Sequence, residues 1–258
     1  MKVVIKNSKN CKQFQILFQL LSSISNEVDV HLKDTGIFIQ GMDSGHVCLF
    51  ELNLNNTWFE SYEVENKIIC GINLTIFHKI LSCWKEGQTI TITKTKEDKL
   101  NFCFEDDKLS KCFEMGLFDF DIEMLQIPDV EYDVDVNLNS KMINSLISEM
   151  DAFGEVVEIN CEEDSINFKT KQNIHQTQVE NKLKMEDLES YSIVEDGSIT
   201  LDFSLQYLMN IVQFSRISKD VDIYISENYP LKFKYCLDNK ETEESENNVC
   251  IWISPRIE

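Results

Sequence analysis

The sequence is poor in positive charge. It carries 24 Lys and Arg against 45 Asp and Glu, which gives a formal net charge of -21 over 258 residues. A protein that binds DNA or RNA on an open surface is normally basic, because neutralising phosphates supplies most of its affinity. The composition therefore argues against such a protein. It still allows a closed ring whose inner wall is less negative than its outside.

Membrane segments and metal-binding cysteine pairs are also missing. No apolar run reaches the length needed to span a bilayer, and no signal-peptide pattern opens the chain. The sequence has no CxxC pair, so we expect no zinc framework, no other metal and no cofactor. The nine cysteines are odd in number and scattered, which favours reduced thiols packed as small hydrophobic residues.

Motifs for catalysis are absent as well. Asp43, Ser44 and His46 lie close together, but no glycine-rich nucleophile elbow and no phosphate-binding loop surrounds them. The carboxylate pair Asp106-Asp107 belongs to an exposed charge run. We therefore expect that the protein is not an enzyme, and we interpret His46 as an imidazole without proton chemistry.

What the sequence does contain is one pattern of elements that occurs twice. An alternating stretch at residues 3–6 precedes a stretch at 14–21 in which apolar residues recur at helical spacing. The second half repeats this order, with alternation at 133–138 and helical spacing at 143–150. Ser140 is the candidate N-cap of that second helix.

The later parts of the two halves repeat too. A second helix is predicted at 74–84 in the first half and at 205–214 in the second, and each is followed by two alternating stretches. The offset of about 130 residues indicates a doubled domain and not a short solenoid repeat. We predict domains at 1–117 and 132–258, joined by the connecting segment, residues 118–131, which is acidic and contains a proline.

Several stretches resemble a known family. They are QGMDSGHV at 40–47, GINL at 71–74 with KIL at 79–81, DFDIEMLQIP at 119–128, PL at 230–231 and WISPRIE at 252–258. All three prolines lie in these stretches. In this order and at these spacings, the full chain resembles the eukaryotic-type DNA sliding clamp, the proliferating cell nuclear antigen (PCNA) family.

The resemblance implies an α+β fold, the DNA-clamp fold, with two similar domains that each have antiparallel sheets outside and two helices inside. Three copies would form a homotrimer, a pseudo-sixfold ring around duplex DNA that is bound without sequence preference. The implied function is that of a sliding clamp, a processivity factor for DNA polymerase in replication and repair. Implied partners are DNA polymerase, the clamp loader, flap endonuclease and DNA ligase, which dock through short hydrophobic-aromatic peptide motifs. The implied location is the nucleus, or a viral replication compartment if a virus encodes the chain.

Three sets of site residues follow from the same resemblance. Partner peptides would bind an apolar surface beneath the connecting segment, formed by Met42, His46, Val47, Leu49, Leu125, Ile127, Pro128, Pro230, Trp252, Ile253, Ser254, Pro255 and Ile257. DNA would face Lys9, Lys12, Lys79, Lys85, Lys141 and Arg216. Subunits would meet along residues 109–115 and 174–179, with Cys112, Phe113, His175 and Thr177 in contact. Core packing stays open as the alternative role for the apolar members, and a solvated side chain for each lysine.

The sequence departs from the family at two places. Positions that are basic in the family carry Gln15, Ile16, Ser22, Ser82, Ser145, Ser148 and Gln213. We hypothesise from this that the ring holds DNA topologically, with a weaker electrostatic grip. The family's ubiquitin-acceptor lysine aligns with Glu163, so we predict that no ubiquitin is attached at that turn.

A second function stays open at this point. The chain could be an interaction scaffold of clamp fold, or a checkpoint-type subunit, with weak or no encirclement of DNA. The reduced number of basic residues on the predicted helices is the feature that favours this alternative.

Overall fold

The computed structural model describes residues 1–120, 122–173, 176–194, 197–238 and 247–256. As far as it is described, the chain forms two compact units. Unit 1 contains residues 1–44, 50–125 and 238–248, and unit 2 contains 45–49, 126–237 and 249–258. None of the described helices is both long enough and apolar enough to cross a bilayer.

Unit 1 places two helices between runs of strands. Its elements are β1 (Lys2–Ile5), α1 (Ser8–Leu21), β2 (Glu27–Lys33), β3 (Gly36–Met42), β4 (Cys48–Asn55), β5 (Ser61–Glu63), β6 (Ile68–Asn73), α2 (Leu74–Leu81), β7 (Thr89–Lys96), β8 (Lys99–Glu105) and β9 (Ser110–Gly116). Neighbouring strands run in the orders β5-β1-β7-β8-β9 and β4-β3-β2-β6.

Unit 2 has the same sequence of elements. They are β10 (Val134–Asn139), α3 (Ser140–Asp151), β11 (Gly154–Glu162), β12 (Ser165–Asn173), β13 (Glu180–Lys184), β14 (Ser190–Ile193), β15 (Ile199–Ser204), α4 (Leu205–Val212), β16 (Asp220–Ser226), β17 (Tyr229–Cys236) and β18 (Asn248–Ile253). A 3-10 turn, Gln213–Arg216, continues α4.

The strand orders confirm the doubling that the sequence predicts. Neighbouring strands of unit 2 run in the orders β14-β10-β16-β17-β18 and β13-β12-β11-β15, which match those of unit 1 strand for strand. In both units one helix follows the first strand and the other follows the strand at the end of the second order. The strand pairs β1–β7, β2–β3, β10–β16 and β11–β12 are antiparallel, and their alternation of buried and exposed residues is typical of antiparallel sheets with one covered face.

Asparagines cap α1, α2 and α3, and for α3 this is not the residue that the sequence suggested. Asn139, and not Ser140, is the N-cap of α3, because its side chain accepts a hydrogen bond from the backbone of Lys141. Asn7 and Asn73 cap α1 and α2 in the same way. Ser140 is the first helical residue, and its hydroxyl instead donates to the Ser218 carbonyl at 2.5 Å. The cap prediction was therefore wrong by one residue.

Apolar faces of the helices build one core in each unit. In unit 1 the ring of Phe18 lies 4.6 Å from that of Phe14 and 4.4 Å from that of Phe77, which joins α1 to α2. In unit 2 the buried Tyr235 stacks on Phe214 at 5.6 Å, and its hydroxyl donates to the Ile211 carbonyl at 3.1 Å. Burial of these stripes gives each helix its orientation, since about 25 cal/mol is gained for each Å² of apolar surface removed from water.

The cysteines differ in part from the expectation of reduced thiols. Cys103 and Cys112 are directly opposite each other on β8 and β9 and form a disulfide. Burial raises the pKa of the Cys11 thiol to about 11 and that of Cys161 to about 12, as expected for unreactive core residues. Cys83 is an exposed free thiol. The sequence did not predict this disulfide. Two cysteines on neighbouring strands can bond only when the strand register places them opposite each other, and their spacing in the sequence does not give that register.

Candidate interaction surfaces

The connecting segment is fastened to unit 1 through its backbone. Gln40 on β3 receives a hydrogen bond from the Leu125 N–H at 2.8 Å and donates one to the Leu125 carbonyl at 2.9 Å. The Ile122 N–H donates to the Asp29 carboxylate at 3.3 Å, and the Phe118 N–H donates to the Gly71 carbonyl at 2.9 Å. These bonds hold residues 118–120 and 122–125 along the strands β2, β3 and β6.

Gly71 is required where this segment begins. A Cβ at that position would lie 2.3 Å from the Phe118 carbonyl oxygen and 3.0 Å from the Phe120 ring. The rings of Phe118 and Phe120 are stacked, with their centroids 5.2 Å apart. Any larger side chain would push the segment off β6, so the glycine permits its close approach.

The fastened segment presents apolar side chains to solvent. Leu125 is 47% exposed, although its backbone is bonded to Gln40, and the neighbouring Met124 is 42% exposed. Met42, at the end of β3, is half-buried. Of the residues predicted to bind partner peptides, these two, Met42 and Leu125, belong to unit 1. Gln40 and Gly71 support the segment but were not predicted as site residues, although both lie in the stretches that carry the resemblance.

The remaining predicted docking residues belong to unit 2. His46 is exposed and has a left-handed backbone with φ of 57°. Val47 and Leu49 are half-buried, and the Val47 carbonyl accepts a hydrogen bond from the Ser254 N–H at 3.0 Å. The residues after β18 are also held at Arg256, whose N–H donates to the Asp202 carbonyl at 2.8 Å. Two of the predicted residues, Val47 and Ser254, are thus in direct contact.

The other predicted docking residues differ in how far their side chains are exposed. Pro128 and Pro230 are exposed, and Ile127 and Pro255 are half-buried. Trp252 is 7% exposed, and Ile253 is fully buried, so the Ile253 side chain faces the core of unit 2. Ile257 lies outside the described residues.

Aromatic residues that the sequence analysis missed surround Trp252. Tyr132, Tyr224, Tyr229 and Trp252 form what we call the aromatic platform of unit 2. The Tyr132 ring lies 5.5 Å from Tyr224 and 6.2 Å from Tyr229. Burial raises the pKa of Tyr132, an effect that a hydrogen bond with Trp252 partly offsets. The sequence carries a signal for Tyr224 alone, which alternates with Ile223 and Ile225. Only strand register brings β16 and β17 next to Tyr132, two residues before β10.

A lysine lies within this platform. The Nζ atom of Lys232 is 4.9 Å from the ring centre of Tyr224, 5.6 Å from that of Trp252 and 6.0 Å from that of Tyr132. These distances are within the range of cation–π attraction. The charge of Lys232 also acts on Asp135. Burial and the neighbouring Asp222 raise the pKa of Asp135, and Lys232 partly offsets this rise.

All the predicted DNA-facing side chains are exposed. Lys9 and Lys12 lie on α1, and Lys79 and Lys85 lie on α2 and just after it, in unit 1. Lys141 lies on α3, and Arg216 ends the 3-10 turn after α4, in unit 2. Gln15 joins the helices of unit 1 by donating to the Leu81 carbonyl at 3.1 Å.

These helices are depleted in acidic residues. Of the 45 acidic residues of the chain, only Glu149 and Asp151 fall in α1 to α4 or in the 3-10 turn Gln213–Arg216. The same segments carry five basic residues, Lys9, Lys12, Lys79, Lys141 and Arg216. The helices are therefore net positive in a chain of charge -21.

The predicted subunit contacts fall at two sheet edges. In the part of the chain that is described, β9 ends one strand order of unit 1 and β13 ends one of unit 2. On β9, Cys112 is exposed in its disulfide, and Phe113 is half-buried with its ring 5.7 Å from Phe104. Thr177 is exposed beside β13, whereas His175 lies outside the described residues.

The turn that carries Glu163 is acidic and open. An open cavity of about 510 Å³ is lined by Glu162, Glu163, Asp164, Gly197 and Ser198. The Ser165 hydroxyl donates to Asp164 at 2.8 Å. Neither of the two residues that flank Glu163 in the turn is a lysine.

The two-unit α+β architecture, with duplicated antiparallel sheets and two helices in each unit, defines the DNA-clamp class of proteins. Comparison with known families agrees. The N-terminal domain of proliferating cell nuclear antigen matches residues 7–133, and its C-terminal domain matches residues 126–244. The chain belongs to the PCNA family.

Two relatives illustrate the range of the similarity. Proliferating cell nuclear antigen 1 of Plasmodium falciparum is 28% identical over 235 residues, covering 88% of this chain and 85% of the relative. The probable DNA polymerase sliding clamp 2 of Paramecium bursaria Chlorella virus 1 is 25% identical over 256 residues, covering 99% of this chain and 90% of the relative. The resemblance drawn from the motifs is confirmed, and so is the function that goes with it, that of a DNA polymerase sliding clamp and processivity factor. Sliding clamps of this family are non-enzymatic scaffolds.

Proposed function

We propose that this clamp acts as a homotrimer whose closed ring encircles duplex DNA. The observation that best supports encirclement is the segregation of charge, since the helices are net positive and almost free of acid in a chain of charge -21. A sliding ring needs contacts that are independent of sequence and easily replaced, and scattered Lys and Arg on helices provide them. Pairing of β9 with β13 of the next copy would remove two exposed strand edges.

The proposed partners are DNA polymerase, the clamp loader, flap endonuclease and DNA ligase. They would dock through short peptides with one aliphatic and two aromatic anchors, on the docking residues named from the resemblance. The exposed apolar side chains of the connecting segment and the aromatic platform of unit 2 support this proposal.

We also propose that the chain itself catalyses no reaction and needs no metal or cofactor, and that residues 1–117 and 132–258 are its domains. A screen for hydrolase and nuclease activity, repeated on Ser44→Ala, tests whether the chain catalyses a reaction.

The expected location of the protein is the nucleus, or a viral replication compartment if a virus encodes it.

The test of the ring is its mass and its retention on DNA. Light scattering should give a trimer, and a loader should place it on nicked circular DNA, from which linearisation releases it. A monomer, or a trimer that linearisation does not release, would instead support the scaffold or checkpoint-type alternative. The small number of basic residues on the helices is the observation that favours that second candidate.

A further inference from the structure

The ammonium group of Lys232 forms no salt bridge with the described residues. No carboxylate of the described residues lies within 4.0 Å of its Nζ atom. It lies over the rings of Tyr224, Trp252 and Tyr132, and the Asp135 carboxylate acts on it only from a greater distance. Cation–π contacts attract the charge but accept none of its three N–H donors in the way that an oxygen does.

The next lysine on the same strand shows the contrast. Lys232 and Lys234 both face outward on β17, because Leu231, Phe233 and Tyr235 between and beside them are buried. In the strand register, Lys234 lies opposite Asp222, whereas Lys232 lies opposite Tyr224. Two lysines of the same strand and face thus have different surroundings.

Lys232 also lies where a partner peptide is proposed to dock. Pro230, on the same outward face of β17, and Trp252 belong to the predicted docking residues, and the Lys232 Nζ atom lies 5.6 Å from the centre of the Trp252 ring. A peptide whose aromatic anchors pack on the platform would bring its neighbouring side chains next to this charge. An acceptor with negative charge would form the strongest hydrogen bond there.

We propose that Lys232 is a specificity-determining residue that selects partner peptides with a carboxylate next to their aromatic anchors. This inference rests on the proposed docking function. The rings hold the ammonium in a fixed position, so that little side-chain entropy is lost when the carboxylate binds. The preference would run against the charge of the whole protein, because a chain of -21 otherwise repels an acidic peptide.

The experiment compares two fluorescent peptides that carry the same aliphatic and aromatic anchors. One has a Glu beside the aromatic anchors and the other has a Gln at that position, with the position scanned on both sides of the anchors. Fluorescence anisotropy at low salt should show that the wild-type protein binds the best Glu peptide about five- to ten-fold more tightly than its Gln counterpart. The preference should shrink at high salt.

Variants of the two lysines assign the effect. Lys232→Met should remove the preference, and Lys232→Arg should keep it. The matched control is Lys234→Met, which changes the net charge equally and should keep it as well. Thermal melting checks that each variant is folded.

Three outcomes would count against the inference in different ways. If wild-type protein binds the Glu and Gln peptides equally at every position, or if Lys232→Met keeps the preference, Lys232 does not select acidic partners and the inference is wrong. If both peptides bind equally but Leu125→Ala weakens both, the docking function stands without this specificity. If neither peptide binds the wild-type protein, the docking proposal itself fails.

Discussion

The side chain of Gln40 hydrogen-bonds to both polar backbone groups of Leu125, which follows it by 85 residues in the chain. The amide accepts from the Leu125 N–H at 2.8 Å and donates to the Leu125 carbonyl at 2.9 Å. Gln40 is itself buried and also donates to Glu51 at 2.9 Å. One glutamine thus fixes the part of the connecting segment that exposes Leu125.

Replacing this glutamine should loosen the segment. Gln40→Ala removes both hydrogen bonds to Leu125, and we expect weaker binding of an aliphatic-aromatic partner peptide by about five- to ten-fold, because the segment must then be ordered on binding. Hydrogen exchange of the Leu125 amide should become faster. Gln206→Ala, on the exposed face of α4, is the matched control. Unchanged exchange at Leu125 would contradict the role assigned to Gln40.

Adding lysines to the helices should strengthen DNA binding. Ser22→Lys and Ser82→Lys at the C-caps of α1 and α2, and Ser145→Lys on α3, add positive charge at positions that the resemblance to the family predicts to be basic. Each new phosphate contact should steepen the dependence of log affinity on log salt by up to about 0.9. Anisotropy of a labelled duplex over a salt series measures this slope. Ser192→Lys, on strand β14, adds the same charge away from the helices, and an equal effect there would show that the helices have no special role.

Loss of the Cys103–Cys112 disulfide should destabilise unit 1. The bond closes a loop with a sequence separation of 9, so the loop-entropy relation gives about 2–3 kcal/mol in the free energy of unfolding. Urea unfolding of the double variant Cys103→Ser/Cys112→Ser should show this loss. Added dithiothreitol should destabilise the wild-type protein but leave the double variant unchanged. Cys83→Ser, at the exposed free thiol, should have little effect.

A charge at Phe113 should break the proposed subunit contact. Phe113→Asp puts a carboxylate on the edge strand β9, where β13 of a second copy is proposed to pair, and burying an unpaired charge is costly. Light scattering should then report a monomer where the wild-type protein is a trimer. Phe113→Tyr keeps the aromatic ring and should stay trimeric. A folded Phe113→Asp trimer would rule out β9 as the contact.

Much of the architecture could be predicted from the sequence because it depends on local periodicity. The helical spacing between Phe14 and Leu21, and again between Ile143 and Met150, gave α1 and α3, and both stripes are buried. The doubling followed from the repeated order of these patterns and was confirmed by the strand orders. The exact N-cap of α3 was missed because Asn139 and Ser140 are both good caps, and only backbone geometry distinguishes them.

The sites were less accessible to sequence reasoning, since contacts between distant residues form them. The motif stretches identified Trp252 and Leu125, but neither the three tyrosines of the platform nor Gln40 was predicted as a site residue. Their places depend on which residues of neighbouring strands lie opposite each other. A shift of one residue in that register would turn every side chain to the other face.

The class of protein follows from the sequence alone. Burial of apolar faces at periods of 2 and 3.6 residues specifies strands and helices, and the order of the motifs specifies the family. The tertiary structure alone decided that Cys103 bonds to Cys112, that Gln40 holds Leu125 and that Lys232 lies among three aromatic rings. Each of these relationships joins separate strands or a strand and the connecting segment. They are set by strand register and close approach in the folded chain, which local sequence patterns do not encode.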